Sequence, residues 1–318
     1  MAVHPDHSSR TIIYVALAGN LLVAMTKFAA AAWTGSSAML SEGVHSLVDS
    51  GNELLLLYGM HRAAARPDRE HPLGHGREIY FWSFVVALLI FTLGAGVSIY
   101  QGVTHILQAQ PIQNVAASYI VLGLSALFEG ASWWFTLRKF KSKKHHADVV
   151  RAILRSKDPP AFIVLLEDSA ALVGLLIAFV GIYFSLALKL PVLDGVASIL
   201  IGLVLALTAW ILARETKGLL IGERAHQSTH DSILKIAQAI DGVEHANEVI
   251  TVHLAPQQIL AALSVEFADA LRAPEIEARV IELEQRVRAA HPEVTVLFVK
   301  PQTSRRFREA GRDDGGAG

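Results

Sequence analysis

The chain contains no cysteine. That excludes disulfides and thiolate metal sites, so any metal must be held by histidine, carboxylate or neutral oxygen. Charge is scarce as well: only 18% of the 318 residues are Asp, Glu, Lys or Arg, against 52% hydrophobic, which is too apolar for an ordinary soluble domain of this length. The formal net charge of −1 provides no bulk attraction for nucleic acid. The opening MAVHPDHSSR lacks the basic-then-apolar order and small-residue cleavage site of a secretory signal. No organelle transit pattern is apparent either, so the first apolar run is expected to stay as a spanning helix.

What the chain has in abundance is long apolar sequence. Segments at 11–34, 38–60, 80–102, 115–137, 161–187 and 192–213 are each long enough to cross a bilayer, which takes about 20 residues. Lys and Arg are distributed unevenly between them. The connection after segment two has four (Arg62, Arg66, Arg69, Arg77) and the one after segment four has eight, from Arg138 to Lys157. Those after segments one and three have none, and the one after segment five has only Lys189. The positive-inside rule then puts both termini and the two basic connections in the cytoplasm.

Ionisable residues inside membrane helices are costly and mark function by default. The stretch SEGVHSLVD in segment two carries His45 and Asp49, four residues apart and so on one helix face. An imidazole and a carboxylate there are half of a tetrahedral site for a divalent cation such as zinc. Segment four has one acid, Glu129, and segment five has the pair Glu167–Asp168. Lys27 in segment one suits a structural role, snorkelling or pairing. The loop after segment two contains Asp68, His71 and His75 among prolines and glycines.

From about Glu223 the composition becomes that of a soluble domain. THDSILKIAQAI has helical spacing, EVITVHL and ILAALSVEF read as strands, APEIEARVIELEQRVRAA as an amphipathic helix and VTVLFV as a last strand. This α-β-β-α-β order suits a small α+β domain of ferredoxin-like type. The expected layout is an N-terminus at 1–10, six transmembrane helices at 11–222, a cytoplasmic domain at 223–303 and a polar, Gly-rich disordered tail at 304–318.

These stretches resemble the cation diffusion facilitators, exporters of zinc and related cations that usually work against protons. The resemblance runs over residues 11–303. Its carriers are SAMLSEGVHSLVD, HPLGHGR, LLEDSAALVG, DGVASILIG and the cytoplasmic domain, and LLED with VHLAP is similar to the branch of mitochondrial zinc exporters. The resemblance implies a homodimeric proton antiporter and no enzyme activity. It implies a transport site pairing His45 and Asp49 with Asp168. Val164 stands where a further ligand would be, leaving the fourth place to water, Glu167 or Glu129. Zn(II), Co(II), Fe(II) and Mn(II) all suit such a set, as cargo and not as cofactor.

Asp68, His71 and His75 match a cytoplasmic loop site of some members; the alternative is that they only shape the loop. The zinc cluster that some members place between cytoplasmic domains is expected to be missing, since Lys300 and SVEF replace its ligands. His245 and His253 are then ordinary strand or loop histidines. His145–His146 resembles a short His-rich linker, and Arg77 with an acid such as Glu223 is a candidate charge lock between protomers. A bacterial inner membrane is the expected host. The competing readings are a metal sensor or scaffold, and a membrane metalloenzyme with Glu167 or Glu129 as base.

Overall fold

The structure, a computed structural model, describes residues 7–34, 37–108, 115–143 and 159–314. His145 and His146 lie outside the described residues, as does the side chain of His45. The chain divides into two compact units. One contains 4–65 and 77–217, and the other contains 66–76 and 218–318.

The first unit is helical. Its elements are α1 (His7–Thr34), α2 (Ser37–Ala63), α3 (Glu78–Leu107), α4 (Val115–Lys143), α5 (Pro159–Ala187) and α6 (Val192–Ile221). Pro159 and Pro160 occupy the first turn of α5, where a missing N–H costs nothing. α5 and α6 meet in a tight hairpin. Lys189 adopts φ 54 there, and Leu190 N donates to Ser185 O at 3.0 Å, closing the last turn of α5.

Among the described residues, five helices are long and apolar enough to cross a membrane: α1, α3, α4, α5 and α6. α2 has the length, at 27 residues. It is diluted by the polar residues Ser46, Asp49, Ser50, Asn52 and Glu53, so composition alone does not mark it. The outer faces of the unit are apolar: Leu127, Leu176, Tyr100 and Trp210 are each more than half exposed. Such a surface suits lipid, not water.

α3 is not a uniform helix. Residues Ile90–Ala95 form a π segment, and Gly96 N donates to Phe91 O, five residues back. α3 and α6 pack without side chains between them at two places. A Cβ on Gly102 would lie 2.7 Å from Gly195 O, and one on Gly202 would lie 3.1 Å from Ala95 O. Glycine is what permits this approach.

The second unit has the order α7 (Gln227–Gln238), β1 (Val243–Ala255), β2 (Gln258–Phe267), α8 (Ala273–Ala290), β3 (Val294–Pro301). The α-β-β-α-β order read from the sequence is the order found. The sheet runs β1-β2-β3, antiparallel then parallel. β1 is longer than EVITVHL and begins at Val243. One sheet face buries Val249, Ala261, Leu263, Val265 and Leu297 with Ile233 and Ala237 of α7 and Leu283 and Val287 of α8. The loop 66–76 belongs to this unit: Gln258 Nε2 donates to Leu73 O at 3.1 Å.

The tail corrects an expectation. Residues Ser304–Asp314 form a helix, α9, where a disordered segment was read. Ser304 anchors it, its N–H and hydroxyl both donating to Glu266 Oε2 at 3.1 and 2.6 Å. Arg305 pairs with Glu309 one turn on. These local partners outweigh the Gly-rich composition that suggested disorder.

Candidate functional site

α2 carries a run of polar residues at helical spacing. His45 lies on its backbone path, and Asp49 and Glu53 follow at four-residue steps, with Asn52 beside them. Glu53 is 2% exposed and Asn52 1%. Asn20 of α1 donates from Nδ2 to Glu53 Oε1 at 2.8 Å. Lys27 is also buried and donates to Ser46 Oγ at 2.9 Å, so it pairs and does not snorkel.

α5 faces this run with Glu167 and Asp168. Asn52 Nδ2 donates to Glu167 Oε1 at 3.2 Å, joining α2 to α5. Asp168 is held from the other side: Ser132 of α4 donates to its Oδ2 at 2.9 Å, and both residues are buried. One residue on, Trp133 Nε1 donates to Ser169 Oγ at 2.9 Å. The carboxylates of Asp49, Glu53, Glu167 and Asp168 interact electrostatically with one another, and Glu129 of α4 reaches Glu167. Val164 is packed in the apolar interior with no atom able to ligate. Helix interiors do not collect like charges without a cation or protons to offset them. A cation or protons would offset the charge gathered here.

The structure thus brings Asp49 and Asp168 together. Sequence reading singled out neither Glu53 nor Asn52. The signal for Glu53 was available, as the next acid one turn beyond Asp49. Asn52, a neutral amide, gave none.

The loop 66–76 forms a second cluster. His71 Nδ1 lies 3.3 Å from Asp68 Oδ1, and His75 Nε2 lies 3.1 Å from Asp68 Oδ2. The imidazole centroids lie 4.3 Å apart, with the ring planes tilted by 40°. Among the described residues, this is the set of three His, Asp or Glu side chains whose ligand atoms all fall within 4.8 Å of one another. The turn builds it: His71 N and Glu70 N donate to Asp68 Oδ1 at 2.6 and 2.9 Å. The His71 amide, followed by the His75 ring and the Glu70 amide, holds the Asp68 carboxyl down at about 2. Asp68 is thus ionised and ready to ligate at any physiological pH. Gly76 is forced by proximity, because a Cβ there would lie 2.8 Å from Ala255 Cβ.

Three other histidines of this unit are engaged. His253 is buried with Nδ1 at 3.4 Å from Ala255 O. His230 sits between Glu248 and Asp231, at 2.9 and 3.1 Å. His291 reaches Ser232 Oγ at 2.8 Å.

A cation efflux transmembrane domain model matches residues 13–221. The chain is 33% identical over 236 residues to metal tolerance protein C4 of Arabidopsis thaliana, covering 73% of this chain and 51% of that protein. It is 32% identical over 212 residues to the mitochondrial proton-coupled zinc antiporter of Homo sapiens, covering 66% of this chain and 37% of that one. An uncharacterized transporter of Methanocaldococcus jannaschii is 25% identical over 275 residues, 86% of this chain and 92% of its own. The chain thus spans about half or less of the length of its first two relatives.

Proposed function

As the chain belongs to the cation efflux family, whose transmembrane domain takes in residues 13–221, we propose that it moves divalent metal cations, zinc foremost, across a bilayer in exchange for protons. α2 is then a sixth spanning helix. The site is a binding and release device with no covalent chemistry. The observation that carries this reading is the meeting of Asp49 and Asp168 with further carboxylates between α2 and α5.

His45, Asp49 and Asp168 supply one nitrogen and two carboxylate ligands. Water takes the fourth place, which Val164 leaves open, and an open position favours release. Ser132 fixes Asp168 Oδ2 and leaves Oδ1 to turn toward the metal. Of the two residues considered for the fourth place, Glu167 and Glu129, the first is tied to Asn52. Metal binding needs a neutral imidazole and ionised carboxylates, so it displaces protons. Protons arriving from the far side compete for the same ligands and expel the metal. Alternating access of the three ligands to the two sides couples the two flows.

The relatives' names support zinc and proton coupling, since one is a proton-coupled zinc antiporter and another a metal tolerance protein. The ligand chemistry also admits Fe(II), Co(II) and Mn(II). The Asp68–His71–His75 cluster is a second zinc position on the cytoplasmic side. Each protomer works within a homodimer, and the host is a bacterial inner membrane with both termini inside.

The test is zinc flux into proteoliposomes under an imposed proton gradient. Gradient-dependent flux is expected in the unaltered protein, falling at least a hundredfold in Asp168→Ala. Flux that persists in Asp168→Ala removes Asp168 from the pathway. Absence of flux for zinc, iron, cobalt and manganese in the unaltered protein overturns the transporter reading.

A further inference from the structure

Two buried oxygens next to the proposed zinc site lack a hydrogen-bond partner among the described residues: Asn52 Oδ1 and Glu53 Oε2. Their residues are 1% and 2% exposed. A buried polar atom left unmade is costly, and a buried carboxylate oxygen more so. Each such buried atom calls for an explanation, an unseen water or ion among them. The other halves of these side chains are already committed. Asn20 holds Glu53 Oε1, and Asn52 gives its Nδ2 to Glu167 Oε1. The amide of Asn52 is therefore aligned with its N–H on a carboxylate and its oxygen free. Among charged neighbours, Glu53 interacts electrostatically most with Glu167, then with Asp49 and Asp168.

We propose that Asn52, Glu53 and Glu167 form a second, oxygen-only position for a hard divalent cation of the Mn2+, Mg2+ and Ca2+ class, one turn of α2 beyond Asp49. The inference rests on the metal-transport reading of this face. Two carboxylates and an amide oxygen offer no imidazole and no thiolate, which is the donor set that hard cations prefer. The two carboxylates balance one divalent charge. A hard cation of the Mg2+ kind is held by one or two carboxylates and completes its shell with water. Zinc, which favours four close ligands including nitrogen, is directed instead to the position with His45. Two adjacent positions of different hardness sort the cations that enter the helix unit.

The experiment counts Mn2+ bound to the purified full chain in detergent, by the loss of the free-ion electron paramagnetic resonance signal. The loop cluster is first silenced with His71→Ala and His75→Ala. That background is expected to bind two equivalents of Mn2+ per protomer. Adding Glu53→Gln, which keeps shape and removes charge, is expected to abolish one of them. Asn52→Leu is expected to weaken the same equivalent at least tenfold. Adding Asp168→Ala instead abolishes the other. A single equivalent in the background, or two that survive Glu53→Gln, overturns the proposal. Zinc flux measured on the unaltered protein separates the failures. Flux with a single Mn2+ equivalent removes only the second position. Two equivalents without flux remove the transport reading and leave the position standing.

Discussion

His230 is held by two carboxylates, Glu248 of β1 and its neighbour Asp231, and this raises its pKa above the ordinary value of about 6.5. The pair couples charge to folding with a definite sign. A raised histidine contributes its stabilisation below the unfolded pKa and loses it as pH climbs through the folded one. The first turn of α7 is therefore expected to open more readily as pH rises above the ordinary histidine value of about 6.5, read as faster amide exchange after correction for intrinsic rates. His230→Gln should flatten that dependence. Exchange in α8, which has no such link, is the internal reference. At this scale the sequence was legible where an expensive residue stood in an apolar run. His45, Asp49 and the Glu167–Asp168 pair were visible for that reason. Asp68, His71 and His75 were visible because prolines and glycines forced the segment between them to turn. Asn52 and Asn20 were not, because a neutral amide costs little in a list of residues and shows its meaning only when its partner is known.

Elements were legible to within a few residues where apolar length or period was strong. α6 begins where its segment was read and α5 two residues earlier, and the two helices and three strands of the second unit appear in the expected order. Ends were read less well, since β1 gains residues by pairing with β2 beyond its hydrophobic stretch. α9 was missed because its order comes from Glu266, a residue distant in sequence. The contact between α3 and α6 depends on glycine at positions 102, 195 and 202. The structure turns it into a test. Gly102→Ala places a methyl 2.7 Å from a backbone oxygen, while Gly123→Ala meets nothing within 4 Å. The first is expected to destabilise the helix unit by about 1–3 kcal/mol, in the range typical of overpacking. The second should leave it unchanged or slightly firmer, since alanine favours helix. Thermal unfolding of the two purified variants side by side makes the comparison.

At the scale of the whole molecule, the division into an apolar helix unit and a polar α+β unit was plain from composition. The direction of insertion follows from the basic connections and is open to a direct check, helped by the absence of native cysteine. Asn114→Cys and Gly316→Cys each create a single thiol. In intact cells a membrane-impermeant maleimide is expected to label position 114 and to spare 316 until the membrane is opened. The reverse pattern would invert the direction in which metal is carried.

The π segment of α3 sets the phase between its two halves. Its turn holds one residue more than an α turn, so Ile90–Ala95 is a length change absorbed inside a rod without rotating what lies on either side. Had the same residue been added to a uniform helix, Gly102 would have swung away by about 100°, at 3.6 residues per turn. The glycine seam with α6 would have closed on a bulky side chain. The wide turn thus gives α3 one residue more than the same number of α turns would hold, while the seam stays in phase.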